Sequence, residues 1–260
     1  MGFKQFLAEA KHTKFTLDET IEKIKKDCKP FLKHKVALYR GMGPEYGLLG
    51  GIRGVRFDRK PLTSSQEFAD FMSDYLYNIG APDRSQAMFC TRQETSTWDY
   101  GEPYLVFPKG NFRYFYFEHI EDAYTEIQSA LDGNSVYQPR MVDAQWDIGW
   151  SYDTMDVVGQ VHWYFNKTKN LDKAIDAYFD ELTKDIKELE ESESEDEILS
   201  DLDTAYTAIK RVFNKLEFYN VNKNLNKADD QEIVVQCKEY YYLSLENLPK
   251  DTFKELGIKE

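Results

Sequence analysis

Three polar residues, Arg40, Thr91 and Glu232, stand where short apolar segments of the chain end or begin. Arg40 lies near the end of segment 36–41, Thr91 ends segment 87–91, and Glu232 opens an apolar run. Short apolar runs bounded by turn residues predict buried strands. An arginine fixed at a strand end can hold an anion, and a carboxylate at a strand mouth can orient a nucleophile or stabilise a positive centre. The alternative interpretation is an ordinary polar residue at each strand boundary.

The segment after Arg40 is rich first in glycine and then in basic residues. The glycines of residues 41–54 lack the strand-to-helix context of a dinucleotide fingerprint or a P-loop, so the sequence predicts neither. Basic residues follow with one aspartate among them: Arg53, Arg56, Arg59 and Lys60. We interpret them either as a solvated loop or as a mobile phosphate clamp near Arg40.

Composition narrows the class of protein. The chain has 260 residues, of which 42% are hydrophobic and 15% aromatic, which argues for a folded protein with a sizeable core. Its net charge of −13 argues against attachment to nucleic acid or to an anionic membrane, and is compatible with binding a basic protein or with mimicking a polyanion. No apolar run reaches membrane length and no signal peptide opens the chain, so we expect a cytoplasmic protein.

Cysteine and histidine give no sign of a metal centre. The three cysteines are odd in number and lack CxxC spacing, which favours a reducing compartment over a disulfide framework or a zinc site. The four histidines lie far apart without metal-ligand spacing. We therefore predict no metal site. Cys90, beside Thr91, is expected to be a buried strand residue rather than a nucleophile.

Local patterns predict helices early in the chain and strands around them. Thr16 and Glu19 form a capping box before apolar residues at helical spacing. A second helix has a buried face ending at Gly80, formed by Phe68, Phe71, Met72, Tyr75 and Leu76. Residues 104–107 and 112–117 predict a β-hairpin around a glycine-containing turn. Residues 146–165 are aromatic without a clean period and receive no assignment.

The second half predicts a helical hairpin and a late pair of strands. Two helical stripes, 171–189 and 198–216, flank the acidic run 190–197. That run is either a solvated tip or a docking surface for a basic partner. Residues 232–237 and 240–243 are rich in β-formers and predict a strand pair or one long strand.

The order of these strand ends resembles the ADP-ribosyltransferase family, in the class marked by arginine, then serine or threonine, then glutamate. The matching pieces are Arg40-Gly41 at the end of a strand, Thr91 at the end of a middle strand, Tyr100-Gly101 shortly after it, and Glu232 at the start of a late strand. Residues 36–118 and 228–243 also resemble uncharacterised tailed-bacteriophage proteins, through the pieces 53–61, 84–91, 106–108 and 232–241.

The resemblance implies a fold, a cofactor and a partner. The fold would be α+β, with an ADP-ribosyltransferase-like core of two packed β-sheets, flanking helices and an inserted helical hairpin. NAD would be the substrate, and the acceptor would be a macromolecule, namely a host protein if the phage resemblance holds. The implied segments are an N-terminal helical part at 1–35, the first part of the core at 36–165, the acidic hairpin at 166–220, and the final strands with a C-terminal helix at 221–260.

The resemblance also assigns roles to residues. Glu232, Arg40 and Thr91 would be catalytic, and NAD would be bound by Arg40, Gly41, Thr91, Trp98, Tyr100, Arg53 and Arg56. Two features depart from the family pattern: the middle motif is Phe89-Cys90-Thr91 instead of serine-threonine-serine, and Asp230 replaces the Glu or Gln two residues before the catalytic glutamate. The alternative is a non-catalytic phage protein that binds and inhibits a host defence or nucleic-acid-processing protein through its acidic surface.

Overall fold

The computed structural model describes residues 13–43, 50–55, 66–121, 123, 126, 154–188, 195–246 and 248–259. The chain forms two compact units. The first contains residues 1–60, 80–118 and 219–260, and the second contains residues 61–79 and 119–218. Within the described residues the fold class is α+β, as the sequence predicts: the first unit holds antiparallel sheets and the second holds helices.

The described strands of the first unit build two sheets. Their bounds are β1 Thr13–Phe15, β2 Tyr39–Met42, β3 Gly50–Gly54, β4 Met88–Cys90, β5 Glu102–Pro108, β6 Arg113–Phe117, β7 Tyr219–Val221, β8 Ile233–Gln236 and β9 Glu239–Ser244. One sheet has five strands in the order β1-β3-β9-β5-β2, and the other has four in the order β4-β8-β6-β7. These strands pair in the antiparallel sense.

Helix α1 (Leu17–Asp27) covers one face of the five-stranded sheet. Its predicted capping box is confirmed: the Thr16 side chain accepts from the Glu19 amide and the Glu19 carboxylate accepts from the Thr16 amide. The Tyr241 hydroxyl donates to Asp27 over 2.7 Å. A short helix α2 (Lys29–Leu32) follows and brings Phe31 against Phe107, with 5.8 Å between their ring centroids. Because side chains alternate along a strand, Tyr241 and Phe107 define the α1 face of this sheet.

The opposite face of the five-stranded sheet belongs to the core shared with the four-stranded sheet. Tyr104 and Tyr242 lie on it, edge to face with ring centroids 5.7 Å apart. The four-stranded sheet contributes to the same buried cluster through Met88, Cys90, Ile233 and Val235. A short helix late in the chain, α7 (Thr252–Leu256), is tied to α1 by the Lys25–Glu255 ion pair at 2.6 Å.

The second unit is helical throughout its described elements. These are α3 Gln66–Asn78, α4 Thr154–Thr168, α5 Leu171–Glu188 and α6 Glu195–Lys215. Phe71 packs edge-on against Phe165 and Phe213, with ring centroids 6.1 and 5.6 Å away. The Tyr75 hydroxyl donates to the Leu216 carbonyl over 2.8 Å in the buried interior. The predicted buried face of α3 and the predicted pair of long helices are confirmed.

Two strand predictions need correction. Residues 104–107 and 112–117 do form strands, but the predicted hairpin is wrong because β5 pairs with β2 and β9, whereas β6 pairs with β7 and β8. The glycine-containing turn between them carries the chain from one sheet to the other. The strand expected at 36–41 begins at Tyr39, since Val36 instead forms an isolated bridge with Lys259.

The late β-rich run also divides between the sheets. Strand β8 lies between β4 and β6, and β9 lies between β3 and β5. The residues from 232 to 243 therefore form two strands that do not pair with each other. Among the described residues, no helix combines the length and apolar composition that crossing a membrane requires.

Candidate active site

Strand β2 is held directly against the end of strand β4. The Tyr39 amide donates to the Thr91 carbonyl over 2.8 Å, and the Thr91 amide donates to the Tyr39 carbonyl over 3.0 Å. This isolated antiparallel bridge joins a strand of the five-stranded sheet to a segment continuing the four-stranded sheet. Arg40 is therefore one residue away from the backbone partner of Thr91.

The pairing of β4 with β8 brings Glu232 to the same place. Cys90 is paired with Ile233, and Phe89 with Val234. Extending this antiparallel register by one residue sets Thr91 across from Glu232. The structure thus gathers the backbones of Arg40, Thr91 and Glu232 at one end of three strands, although they lie far apart in the sequence.

The Arg40 side chain lies on the core-facing side of the five-stranded sheet. Its guanidinium carbon is 5.9 Å from the centroid of the Tyr240 ring. Burial raises the pKa of the nearby Cys237 thiol, and the positive charge of Arg40 opposes that rise. Within the described part of the chain, the Arg40 Nε is buried and has no hydrogen-bond partner. A buried donor without an acceptor carries a desolvation cost that an anionic ligand would remove.

The Glu232 carboxylate is engaged by a different arginine. Arg84 lies in a 3-10 turn, Arg84–Gln86, which the Asp83 side chain caps by accepting from the Ser85 amide over 2.9 Å. An Arg84 guanidinium nitrogen lies 2.8 Å from a Glu232 carboxylate oxygen, with 23% and 29% of the two side chains exposed. The same guanidinium lies over the Phe89 ring, 4.7 Å from its centroid. Glu232 is therefore on the side of the four-stranded sheet that carries Phe89.

This arrangement separates the two charged side chains by sheet face. Cys90 and Ile233 face the shared core, whereas Phe89 and Val234 alternate to the other side. The Glu232 side chain lies with Phe89, and the Arg40 side chain lies with Tyr240 in the core. The strand ends are adjacent in backbone, but Arg40 and Glu232 present their charges to different faces.

A turn bearing two exposed aromatic residues packs on Gly41. The 3-10 segment Thr95–Tyr100 follows Thr91, and Trp98 and Tyr100 are 59% and 70% exposed. A Cβ at Gly41 would lie 2.8 Å from the Tyr100 carbonyl carbon, so only glycine admits this turn. The turn ends at Gly101, whose φ of +124° is in the region that side chains rarely adopt. The backbone of this turn is thus held against Gly41 of β2, on the sheet face opposite the Arg40 side chain.

The predicted basic residues of the following segment are only partly described. Arg53 lies in β3 directly across from Tyr240, so its side chain emerges on the same sheet face as the Tyr240 ring and Arg40. Arg56 lies outside the described residues, as do Arg59 and Lys60.

The Thr91 side chain is used within its own turn. Its hydroxyl accepts from the Gln93 amide over 3.1 Å. The Gln93 side chain in turn donates to Asp230 over 2.6 Å. These bonds tie the end of β4 to the segment that leads into β8, so the position of Thr91 relative to Glu232 is fixed by side chains as well as by strand pairing.

Sequence reasoning missed two charged residues at this site, Arg84 and Glu102. Glu102 opens β5 opposite Met42, and Tyr104, two residues on, is opposite Arg40. A sequence signal for Glu102 exists, because Glu102 directly follows the aromatic-glycine pair Tyr100-Gly101. Like Glu232, it also begins an apolar run. Arg84 has no such local signal, since its partner is a residue of a distant strand.

The thiols near the site are not set up for chemistry. Cys28, Cys90 and Cys237 form no disulfide, and all three are buried. Burial raises the pKa of Cys28 to about 12, so its thiol stays protonated at neutral pH. Within the described residues, no group of three or more His, Cys, Asp or Glu side chains could hold a metal ion.

Comparison of the chain with protein-family models, with curated proteins and with solved structures finds no match in any of the three.

Proposed function

We propose that this protein binds NAD through an ADP-ribosyltransferase-like core and transfers ADP-ribose from it to a macromolecule, as a mono-ADP-ribosyltransferase. The observation that carries the proposal is the buried Arg40 Nε without a hydrogen-bond partner in the described residues. Arg40 lies where three strand ends of the two sheets meet, and the resemblance implies that the dinucleotide binds there.

Arginine suits the diphosphate of NAD. A guanidinium is permanently charged and can give two parallel hydrogen bonds to one phosphate. In the proposed complex, Arg40 donates to a phosphate or ribose oxygen, and this contact satisfies its buried Nε. Arg53 supplies a second cation from across Tyr240 on the same sheet face.

The exposed aromatic turn suits the nicotinamide. Nicotinamide in NAD is a flat cation, and such a ring stacks favourably on an aromatic face. Trp98 and Tyr100 offer two faces beside Gly41. The absence of a Cβ at Gly41 lets the turn, and with it the ligand, approach the Arg40 strand closely.

The chemical step breaks the bond between nicotinamide and ribose. Nicotinamide leaves with the bonding electron pair, and the anomeric carbon becomes an oxocarbenium-like centre. The acceptor nucleophile then forms a new bond to that carbon and loses its proton to a base or to solvent. The resemblance gives the stabilising carboxylate role to Glu232 and gives Thr91 the role of orienting it or the ribose.

The acceptor class follows from charge. A protein with a net charge of −13 favours a basic macromolecular surface and disfavours nucleic acid as a direct ligand. If the chain is phage-encoded, the acceptor is a basic host protein in the host cytoplasm.

The test is release of nicotinamide from NAD by the purified full-length chain, alone and with a host-cell extract. Arg40→Gln should abolish NAD binding in calorimetry and stop the release, since the phosphate contact is lost. Arg211→Gln is the matched control, because Arg211 is an exposed arginine of α6 in the second unit and should leave both unchanged. Glu232→Gln tests the carboxylate that the resemblance assigns.

The alternative is the non-catalytic inhibitor of a host defence or nucleic-acid-processing protein. It becomes the better interpretation if the wild-type chain neither binds nor cleaves NAD while it retains a host protein on an affinity column. In that case, neutralising the acidic run 190–197 should release the partner.

A further inference from the structure

We propose that Glu102 is the carboxylate that contacts the ribose of NAD beside Arg40. This inference rests on the proposed function, and it assigns to Glu102 the role that the resemblance gives to Glu232. Nothing in the sequence pattern of the family points to this position.

The strand register makes Glu102 a diagonal neighbour of Arg40. In the β2–β5 pair, Arg40 is opposite Tyr104 and Met42 is opposite Glu102. Diagonal residues two positions apart on paired strands share a sheet face and lie within reach of long side chains. Arg40 and Glu102 therefore project from the same face of the five-stranded sheet.

Side-chain contacts agree with this assignment of faces. The Tyr104 hydroxyl donates to the Glu102 carboxylate over 3.4 Å. The Tyr240 hydroxyl contacts the Met42 sulfur at 3.8 Å, and the Tyr240 ring receives the Arg40 guanidinium at 5.9 Å. Glu102, Tyr104, Met42, Tyr240 and Arg40 thus share the core-facing surface of the five-stranded sheet, where Tyr104, Met42 and Tyr240 are buried.

Glu232, by contrast, lies on the side of the four-stranded sheet that faces away from this surface. Its carboxylate is 2.8 Å from the Arg84 guanidinium, which is itself placed over Phe89. An existing partly buried ion pair would have to break before Glu232 could reach a ligand held by Arg40. Glu102 reaches such a ligand from the face on which it already lies.

The position of Glu102 also fits the proposed nicotinamide contact. It directly follows Gly101, where an added Cβ would clash with the Met42 carbonyl group, so the end of the aromatic turn is fixed against β2. The carboxylate therefore lies one residue beyond the turn that carries Trp98 and Tyr100.

Cleavage of the bond between nicotinamide and ribose needs one carboxylate beside the ribose. Glu102 accepts a hydrogen bond from the ribose 2′-hydroxyl and stabilises the positive charge that develops at the anomeric carbon as nicotinamide leaves. Tyr104 is the positioning residue, because its hydroxyl holds the carboxylate.

The experiment compares Glu102→Gln, Glu232→Gln and Glu239→Gln in the full-length chain. Glu239 is the matched control: it also opens a strand of the five-stranded sheet, but it lies on the α1 face and is paired with Lys109 at 2.8 Å. We measure nicotinamide release, calorimetric binding of ADP-ribose, and thermal unfolding to confirm that each variant is folded. Glu102→Gln should lower kcat by about 100-fold or more while ADP-ribose still binds, Glu239→Gln should stay close to wild type, and Glu232→Gln should lower kcat less than Glu102→Gln does.

The outcomes separate this inference from the proposed function. Loss of release in Glu232→Gln, with Glu102→Gln fully active, overturns the inference and leaves the proposed function standing. A wild-type chain that neither binds ADP-ribose nor releases nicotinamide overturns both.

Discussion

Tyr39 and Thr91 exchange two backbone hydrogen bonds, of 2.8 and 3.0 Å, and so join the edge strand β2 of one sheet to the end of β4 from the other. This bridge places Arg40 beside the two strands that carry Thr91 and Glu232. The residues proposed to hold NAD are positioned relative to it. Substitutions at this junction and elsewhere in the fold should change stability and reactivity in the following ways.

Gly41→Ala should destabilise the protein. The new methyl group would meet the Thr97 carbonyl oxygen and the Tyr100 backbone, which belong to a packed turn and not to a flexible side chain. We expect a loss of about 2 kcal/mol in the free energy of unfolding, measured by denaturant titration, as for other overpacked sites. Gly159→Ala is the control, because it lies within α4 and the added carbon would have no atom within 4 Å apart from its chain neighbours and its own helix backbone. There, alanine should stabilise the helix by about 0.5–1 kcal/mol. Equal effects of the two changes would contradict the packing argument.

Arg84 and Glu232 should show energetic coupling. The pair is partly buried at 2.8 Å, and Arg84 also stacks on Phe89. Either substitution removes this ion pair, so each single variant, Arg84→Gln or Glu232→Gln, should cost about 1 kcal/mol of unfolding free energy. The double variant should cost less than the sum of the two. Strict additivity in this double-mutant cycle would show that the ion pair contributes nothing.

Asp176 should contribute stability that depends on pH. The Lys210 ammonium donates to its carboxylate over 2.8 Å and the Tyr206 hydroxyl over 2.7 Å, and these bonds hold the pKa of Asp176 below its ordinary value. The bonds therefore stabilise the fold in full above the ordinary aspartate pKa of about 4, and the stabilisation is lost as pH falls through the lowered pKa. Because the carboxylate is partly exposed, we expect less than about 1 kcal/mol at neutral pH.

The measurement for Asp176 is unfolding free energy against pH for wild type and Asp176→Asn. Their difference should be largest at neutral pH and shrink steadily below about pH 4. Asp180→Asn, an exposed position on the same helix, serves as the control for loss of one negative charge. A constant difference between wild type and Asp176→Asn down to about pH 2 would rule out this contribution.

The three cysteines should not react with thiol reagents in the native protein. All are buried. Burial raises the pKa of Cys28 to about 12, and burial also raises the pKa of Cys237 above its ordinary value. Thiolate, not thiol, is the reactive species. We expect no reaction with a chromogenic disulfide reagent at about pH 8, and three equivalents of reaction in denaturant. Fast labelling of a folded sample would show that the core opens readily.

The sequence is sufficient for elements whose signals are local. It predicts the capping box at Thr16 and the periodic apolar faces of α3, α5 and α6, because each depends on residues three or four apart. Helix α4 escapes prediction although its buried positions Val157, Val161 and Phe165 keep helical spacing. Its exposed Trp163 obscures the pattern, since a large aromatic residue ordinarily indicates a buried position.

Sheet membership and sheet face cannot be predicted in the same way. Both β5 and β6 are recognisable as strands, yet each pairs with strands from distant parts of the chain, and no local residue encodes that choice. The same applies to the candidate site. The sequence places Arg40, Thr91 and Glu232 at strand ends, but only the register shows that Glu232 is held by Arg84 and that Glu102 shares a face with Arg40.

The placement of β8 and β9 has a consequence for biosynthesis. Each is an interior strand of its sheet, flanked on both sides by strands from the first half of the chain. A nascent chain that has emerged only as far as residue 218 holds four strands of one sheet and two of the other with their central partners missing. Neither sheet can complete its strand pairing until β8 and β9 have emerged from the ribosome. We therefore expect the first unit to fold late, and its β-rich segments to need chaperone protection until then.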